Sequence, residues 1–159
     1  MAEKKLCHYL PFVPCSEMEI KMIESKTHIR VRYADTDQMG IVYHSYYLEW
    51  FEAGRAELFR EMGIPYTEIE KRGTVLPVIE AHLKFKRPAR YDQILKIVTM
   101  LKEIPKVKLK IFYNIYDENY KNLLVDGYTV HSFINSKGKP TRVPFWLKRV
   151  FEEKFNDEY

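Results

Sequence analysis

Cysteine is scarce: Cys7 and Cys15 are the only two in 159 residues. That is too few for a disulfide scaffold, and no second ligand pair at zinc spacing accompanies them. A reducing, cytoplasmic location is the expectation that follows, with no metal and no cofactor. Long apolar runs are missing as well. None approaches the roughly 18 residues of a membrane span, so no direct span is expected. The leader MAEKKLCHYLPFVPC opens with lysines, but His8, Pro11 and Pro14 interrupt its apolar stretch and no small-residue cleavage site follows. Residues 1–25 therefore read as a poorly ordered N-terminal extension, and residues 26–159 as a single domain.

The common chemical fingerprints are absent too. There is no Gly-x-Ser-x-Gly, HExxH, P-loop or dinucleotide motif, so the usual nucleophile-elbow, zinc and nucleotide schemes lack support. The formal charge of +4 comes from 26 basic and 22 acidic residues that are interleaved rather than gathered on a reading motif. No nucleic-acid partner is expected from that pattern. What is present is the composition of a globular protein, 46% hydrophobic and 30% charged.

The order of elements is legible from periodicity. Residues 27–33 alternate Thr27, Ile29, Val31 and Tyr33 against His28, Arg30 and Arg32, the period of a half-buried strand. From Tyr47 the period changes, with Phe51, Gly54, Leu58 and Met62 following at three- and four-residue steps until MGIP stops a helix of about four turns. Gly54 in mid-helix costs about 1 kcal/mol relative to alanine, which points to close packing on a sheet. Four more strands are expected at Val78–Lys86, Ile94–Glu103, Val107–Asp117 and Leu123–Asn135, separated by RPARYD, Ile104-Pro105 and DENYKN. Their short connections require antiparallel pairing, because each parallel crossover would need about a dozen residues. A closing helix is expected over Pro144–Phe155. The fold class is α+β: one long helix and a five-stranded antiparallel sheet.

The stretch RVRYADTDQMGIVYHSYYLEWFEAGRAELF, residues 30–59, sets Asp35, Asp37 and His44 just before the long helix. A helix start offers unpaired N–H groups and the positive end of the macrodipole, where an oxyanion can be stabilised. The same spacing also suits simple Asx turns and capping, and a lone histidine is commonly a packed residue. Glu52 and Arg55 lie at i,i+3 and are expected to pair on the helix surface.

The string Tyr33-Ala-Asp-Thr-Asp37, followed by Gly40-Ile-Val-Tyr43-His44, Tyr47 and FEAGRAELF, resembles the hotdog-fold acyl-CoA thioesterases of the 4-hydroxybenzoyl-CoA thioesterase family. It is most similar to their Tol-Pal-associated branch. The resemblance extends over about residues 27–152, through KRPARYD and KPTRVP. It implies a hotdog fold with a central helix wrapped by the sheet, an acyl-CoA substrate, and homodimers or homotetramers with sites between subunits. It further implies that Asp37 is the catalytic carboxylate, as general base or as nucleophile through an anhydride, and that the His44 backbone N–H polarises the thioester carbonyl. Asp35 is assigned to the turn, and Tyr33 and Tyr43 to the acyl pocket. Lys106, Lys108 and Arg142 are the phosphate contacts, with Arg87 and Arg90 next in line. Where the family usually carries a small polar residue two positions after the histidine, this chain has Tyr46, which leaves Ser45 as the helix cap. Three alternatives keep the fold. One is a thioesterase for acyl carrier protein, which the +4 charge would suit. A non-enzymatic acyl-CoA-binding protein has no need of Asp37, and a hydratase would want a different acid pairing on the helix.

Overall fold

The computed structural model describes residues 21–156. Cys7 and Cys15, and most of the expected N-terminal extension, lie outside them. In chain order the elements are β1 (Ile23–Arg30), α1 (Tyr46–Glu61), α2 (Tyr66–Lys71), β2 (Thr74–Val75), β3 (Val78–Phe85), β4 (Ile94–Leu101), β5 (Lys108–Asp117), β6 (Leu123–Asn135), β7 (Pro140–Thr141) and α3 (Phe145–Asn156).

Every pairing is antiparallel, and the seven strands form one sheet in the order β1-β4-β5-β6, with β3, β2 and β7 all added to β6. The five-strand expectation is corrected here. Strands β2 and β7 have two residues each and pair with the far end of β6, which at 13 residues outreaches its neighbours. Two residues show no readable period, so neither strand was visible in the sequence.

β1 runs Ile23–Arg30 rather than 27–33, so the sheet starts before the expected domain boundary at residue 26. The strand stops early because the Asp35 carboxylate accepts the Arg32 backbone N–H at 2.9 Å and curls the chain into a 3₁₀ turn over Tyr33–Asp35. Helix α2 was not anticipated. It is a short helix braced by the Arg72–Glu68 ion pair at 2.9 Å.

Helix α1 lies on one face of the sheet. Phe51 stacks on Tyr113 of β5 with ring centroids 4.1 Å apart and planes 6° from parallel. Gly54 meets β4, where an added Cβ would stand 2.4 Å from Thr99 Oγ1 and 3.2 Å from Ile97. Gly127 of β6 leaves room for the Phe51 ring, 3.0 Å from where its Cβ would be. The core between α1 and the sheet is apolar and closed, built from Leu58, Phe59, Leu95, Ile97, Ile111 and Ile115 among others. Among the described residues no helix is long and apolar enough to cross a membrane.

Two helix-surface expectations are corrected. Ser45 occupies the N-cap position, but its φ of −69° and ψ of −28° are already helical and its hydroxyl caps nothing. A capping side chain needs the extended backbone that Ser45 lacks. Arg55 does not pair with Glu52; it turns inward to His131 Nδ1 at 3.1 Å and lies over the Tyr66 ring at 5.1 Å.

Gly54→Ala should destabilise the protein by about 1–2 kcal/mol, since the overpacking cost exceeds alanine's gain in helix propensity. Thr99 Oγ1 is buried with no partner among the described residues, so adding Thr99→Ala should recover most of the loss. Chemical denaturation of the two variants tests this, and a Gly54→Ala protein as stable as wild type would contradict the close approach.

Candidate active site

The segment between β1 and α1 is tied at three points. Asp35 is 1% exposed, and besides the Arg32 N–H its carboxylate accepts Arg32 Nε at 3.0 Å and Nη2 at 2.7 Å. Its own carbonyl accepts the Tyr43 N–H at 2.9 Å. Val42 N–H donates to Ala89 O at 2.9 Å, fastening the loop to the connection before β4. Asp35 is thus buried in the turn with its carboxylate occupied by Arg32.

Between those ties the chain reverses over Asp37 to Ile41. Asp37 N–H donates to Ile41 O and Gly40 N–H to Asp37 O, both at 2.9 Å. Gly40 has φ of +70°, a conformation that a side chain would strain. Asp37 Oδ1 accepts the Met39 N–H at 2.8 Å in an Asx turn, so the bland reading of this aspartate is also met. Its second carboxylate oxygen has no partner among the described residues.

Asp37 and His44 line one cleft of about 360 Å³, together with Val42, Tyr47, Phe85 and Arg87. The cleft is mostly apolar. Tyr47 closes its inner side, edge-on to Phe85 with centroids 5.4 Å apart, and burial raises its hydroxyl above the ordinary tyrosine range against the opposing Ala89 N–H bond. His44 opens the turn that leads into α1, and its backbone N–H donates to no acceptor among the described residues. Asp37 and His44 thus both line one mostly apolar hollow at a helix start.

The other sequence candidates lie elsewhere. Tyr33 is 78% exposed and packs edge-to-face with Tyr91 at 5.6 Å. Tyr43 is 46% exposed with its ring 4.2 Å from that of His44, outside the cleft lining. Lys106, Lys108 and Arg142 are exposed near the joint of β5 with the loop before α3, where Val143 N–H donates to Lys106 O at 2.9 Å. None of the three lines the Asp37 cleft of the same chain. Arg87 does, and Arg90 reaches Gly40 O at 3.4 Å.

Sequence reading missed one buried polar chain beneath a second hollow. Tyr113 hydroxyl bonds Thr129 Oγ1 at 3.0 Å, Thr129 Oγ1 bonds His131 Nε2 at 2.8 Å, and His131 Nδ1 bonds Leu76 O at 3.0 Å. Burial pushes Tyr113 up to about 12 and His131 down to about 4, the latter against the Leu76 carbonyl and with the Arg55 charge adding to the fall. The one signal in the sequence was polar residues, Thr129 and His131, on the inward parity of an apolar strand.

The topology of a long helix on an antiparallel sheet is that of the hotdog thioesterase fold. The family model for the thioesterase-like superfamily matches residues 31–151, and the chain belongs to that superfamily. The chain is 41% identical over 93 residues to the putative acyl-CoA thioesterase YneP of Bacillus subtilis, covering 58% of this chain and 67% of the relative. Among solved structures, a hypothetical protein from Thermus thermophilus superposes with a TM-score of 0.76 at 36% identity, covering 81% of this chain and 98% of that one. A DHNA-CoA thioesterase from Staphylococcus aureus superposes at 0.75 with 30% identity, covering 82% and 89%.

His131 has a folded-state pKa below its unfolded value of about 6.5. Its contribution to stability is therefore present above pH 6.5 and lost as pH falls toward 4, by about 3 kcal/mol in all. A His131→Gln variant should lack this acid-side loss. Equal pH dependence of unfolding in the two proteins would show that His131 is not buried neutral.

Proposed function

We propose that this chain hydrolyses acyl-CoA thioesters to the free acid and CoA, with Asp37 as the reactive carboxylate and the His44 N–H at the oxyanion. The observation that carries this reading is that Asp37 and His44 line one mostly apolar cleft. The names of the Bacillus and Staphylococcus relatives are those of thioesterases acting on CoA esters, which supports the same class. On the motif of residues 33–47 we place the chain within the 4-hydroxybenzoyl-CoA thioesterase family, in its Tol-Pal-associated branch.

In this reading the thioester carbonyl oxygen sits at the start of α1. Charge developing on that oxygen meets the free N–H and the helix dipole. Asp37 takes a proton from water as it adds to the carbonyl carbon; collapse breaks the C–S bond, and the thiolate leaves with the proton. Attack by the carboxylate itself would break the C–S bond, expel the CoA thiolate, which takes a proton from solvent, and leave an anhydride that water opens to the free acid and the Asp37 carboxylate. Both routes need an unpaired carboxylate oxygen, and among the described residues Asp37 Oδ2 has no partner.

The CoA phosphates are assigned to Arg87 of the same chain and to Lys106, Lys108 and Arg142 of a second copy. The free edge of β3 supports a second copy: the strand pairs only with β6 among the described residues and exposes Val78, Ile79 and Phe85. An open edge of eight residues with three large apolar side chains exposed is a surface that proteins ordinarily cover.

Asp37→Asn should lower kcat by about 10²–10⁴-fold in thiol release from a panel of short, long and aromatic acyl-CoAs, with an unchanged melting temperature. A folded variant that keeps wild-type turnover would remove Asp37 from the chemistry.

A further inference from the structure

The second hollow, about 310 Å³, lies between the same two elements as the first. Helix α1 lines the first with Tyr47 and the second with Leu48, Phe51, Glu52 and Arg55; strand β3 lines the first with Phe85 and the second with Ala81 and Val78. The two hollows therefore lie along the same helix and strand, with Tyr47 and Leu48 adjacent on α1, and an extended chain leaving the first along β3 would enter the second. Tyr113, Thr129 and His131 stand in the wall of the second.

Tyr113 has hydrogen-bonding capacity to spare. Its hydroxyl can make more than one bond, and Thr129 is its only partner among the described residues. This holds for either His131 tautomer. With the proton on Nδ1, it goes to Leu76 O, and the hydroxyl protons run from Tyr113 to Thr129 to Nε2, leaving lone pairs on the Tyr113 oxygen. With the proton on Nε2, Nδ1 accepts from Arg55, Thr129 donates to Tyr113, and the Tyr113 proton is left over. A ligand hydroxyl satisfies both cases because it donates and accepts, whereas a carbonyl satisfies only one.

Position selects the ligand further. Thr129 pairs with Ala81 across the sheet, and Ala81 is four residues from Phe85 on β3, or about 13 Å at strand spacing. A single ring bonded directly to a thioester carbonyl in the first hollow does not span that length; an extended aliphatic chain does. Glu49 and Glu52 line the second hollow as exposed carboxylates against one cation, Arg55, which is turned to His131, so a chain ending in a carboxylate would meet net negative charge. A neutral alcohol would not.

We propose that the two hollows together take aliphatic acyl groups bearing a hydroxyl far from the thioester, and that Tyr113, oriented by Thr129 and His131, reads that hydroxyl. The assignment rests on the Asp37 cleft being the thioester site. Phe51 and Leu48 supply the apolar wall for the chain, and Thr129 acts as a positioning residue.

Calorimetric binding of two non-hydrolysable thioether analogues of acyl-CoA tests it, matched in length, one plain and one hydroxylated toward the chain end. Wild type should bind the hydroxylated analogue two- to tenfold more tightly, the value of one hydrogen bond. Tyr113→Phe should bind both alike, and Thr129→Val should show a reduced preference, which keeps the test open if the first variant folds poorly. Absence of preference in wild type, its persistence in folded Tyr113→Phe, its full retention in Thr129→Val, or binding of neither analogue would overturn the proposal. Thiol release assayed in parallel separates the two readings. Failed turnover with an intact binding preference sinks the hydrolase alone, and turnover without preference sinks the Tyr113 assignment alone.

Discussion

Helix α1 lies as close to the sheet as it does because side chains are missing at two crossing points. At Gly54 a methyl group would collide with Thr99, and at Gly127 it would collide with the His82 carbonyl and the Phe51 ring. This contact fixes the height and direction of the helix above β4, β5 and β6. It is costly locally, since glycine in a helix is unfavourable and Thr99 is left with an unpartnered hydroxyl. The stacked Phe51–Tyr113 pair and the apolar core around Leu58 and Ile97 offset that cost. Everything at the start of the helix takes its position from this seating.

The loop before α1 is held by a second set of constraints. Buried Asp35 and Arg32 set the turn, Val42 anchors to Ala89, and Gly40 reverses the chain so that Asp37 faces the same hollow as His44. The two aspartates of one short motif thus divide their labour. One is buried with its oxygens occupied, while the other has an oxygen with no partner among the described residues, beside an apolar cleft. Charge alone would not separate them; the difference lies in hydrogen bonding.

The long elements were legible in the sequence because their apolar periods are long and their breaks carry glycine and proline. The helix around Phe51 and the strands from Val78 onward stand within a few residues of expectation. Local signals failed where a tertiary bond overrode them. β1 ends early because of the Asp35 carboxylate, and Arg55 leaves Glu52 for His131, a residue 76 positions away. Strands β2 and β7 were too short to show a period. Asp37 and His44 were legible only through the motif and do share a cleft, while Tyr33, Tyr43, Lys106, Lys108 and Arg142 fall outside that cleft in the single chain. The Tyr113–Thr129–His131 chain could not be foreseen, because strand register, not sequence separation, brings its members together.

The central claim is that the thioester carbonyl lies between Asp37 and the His44 N–H. A crystal structure of the Asp37→Asn protein with an intact acyl-CoA tests it most directly. The expected result is a carbonyl oxygen about 3 Å from the His44 nitrogen, with the carbonyl carbon facing residue 37. A thioester bound in any other hollow, or a carbonyl turned away from the start of α1, would contradict the account.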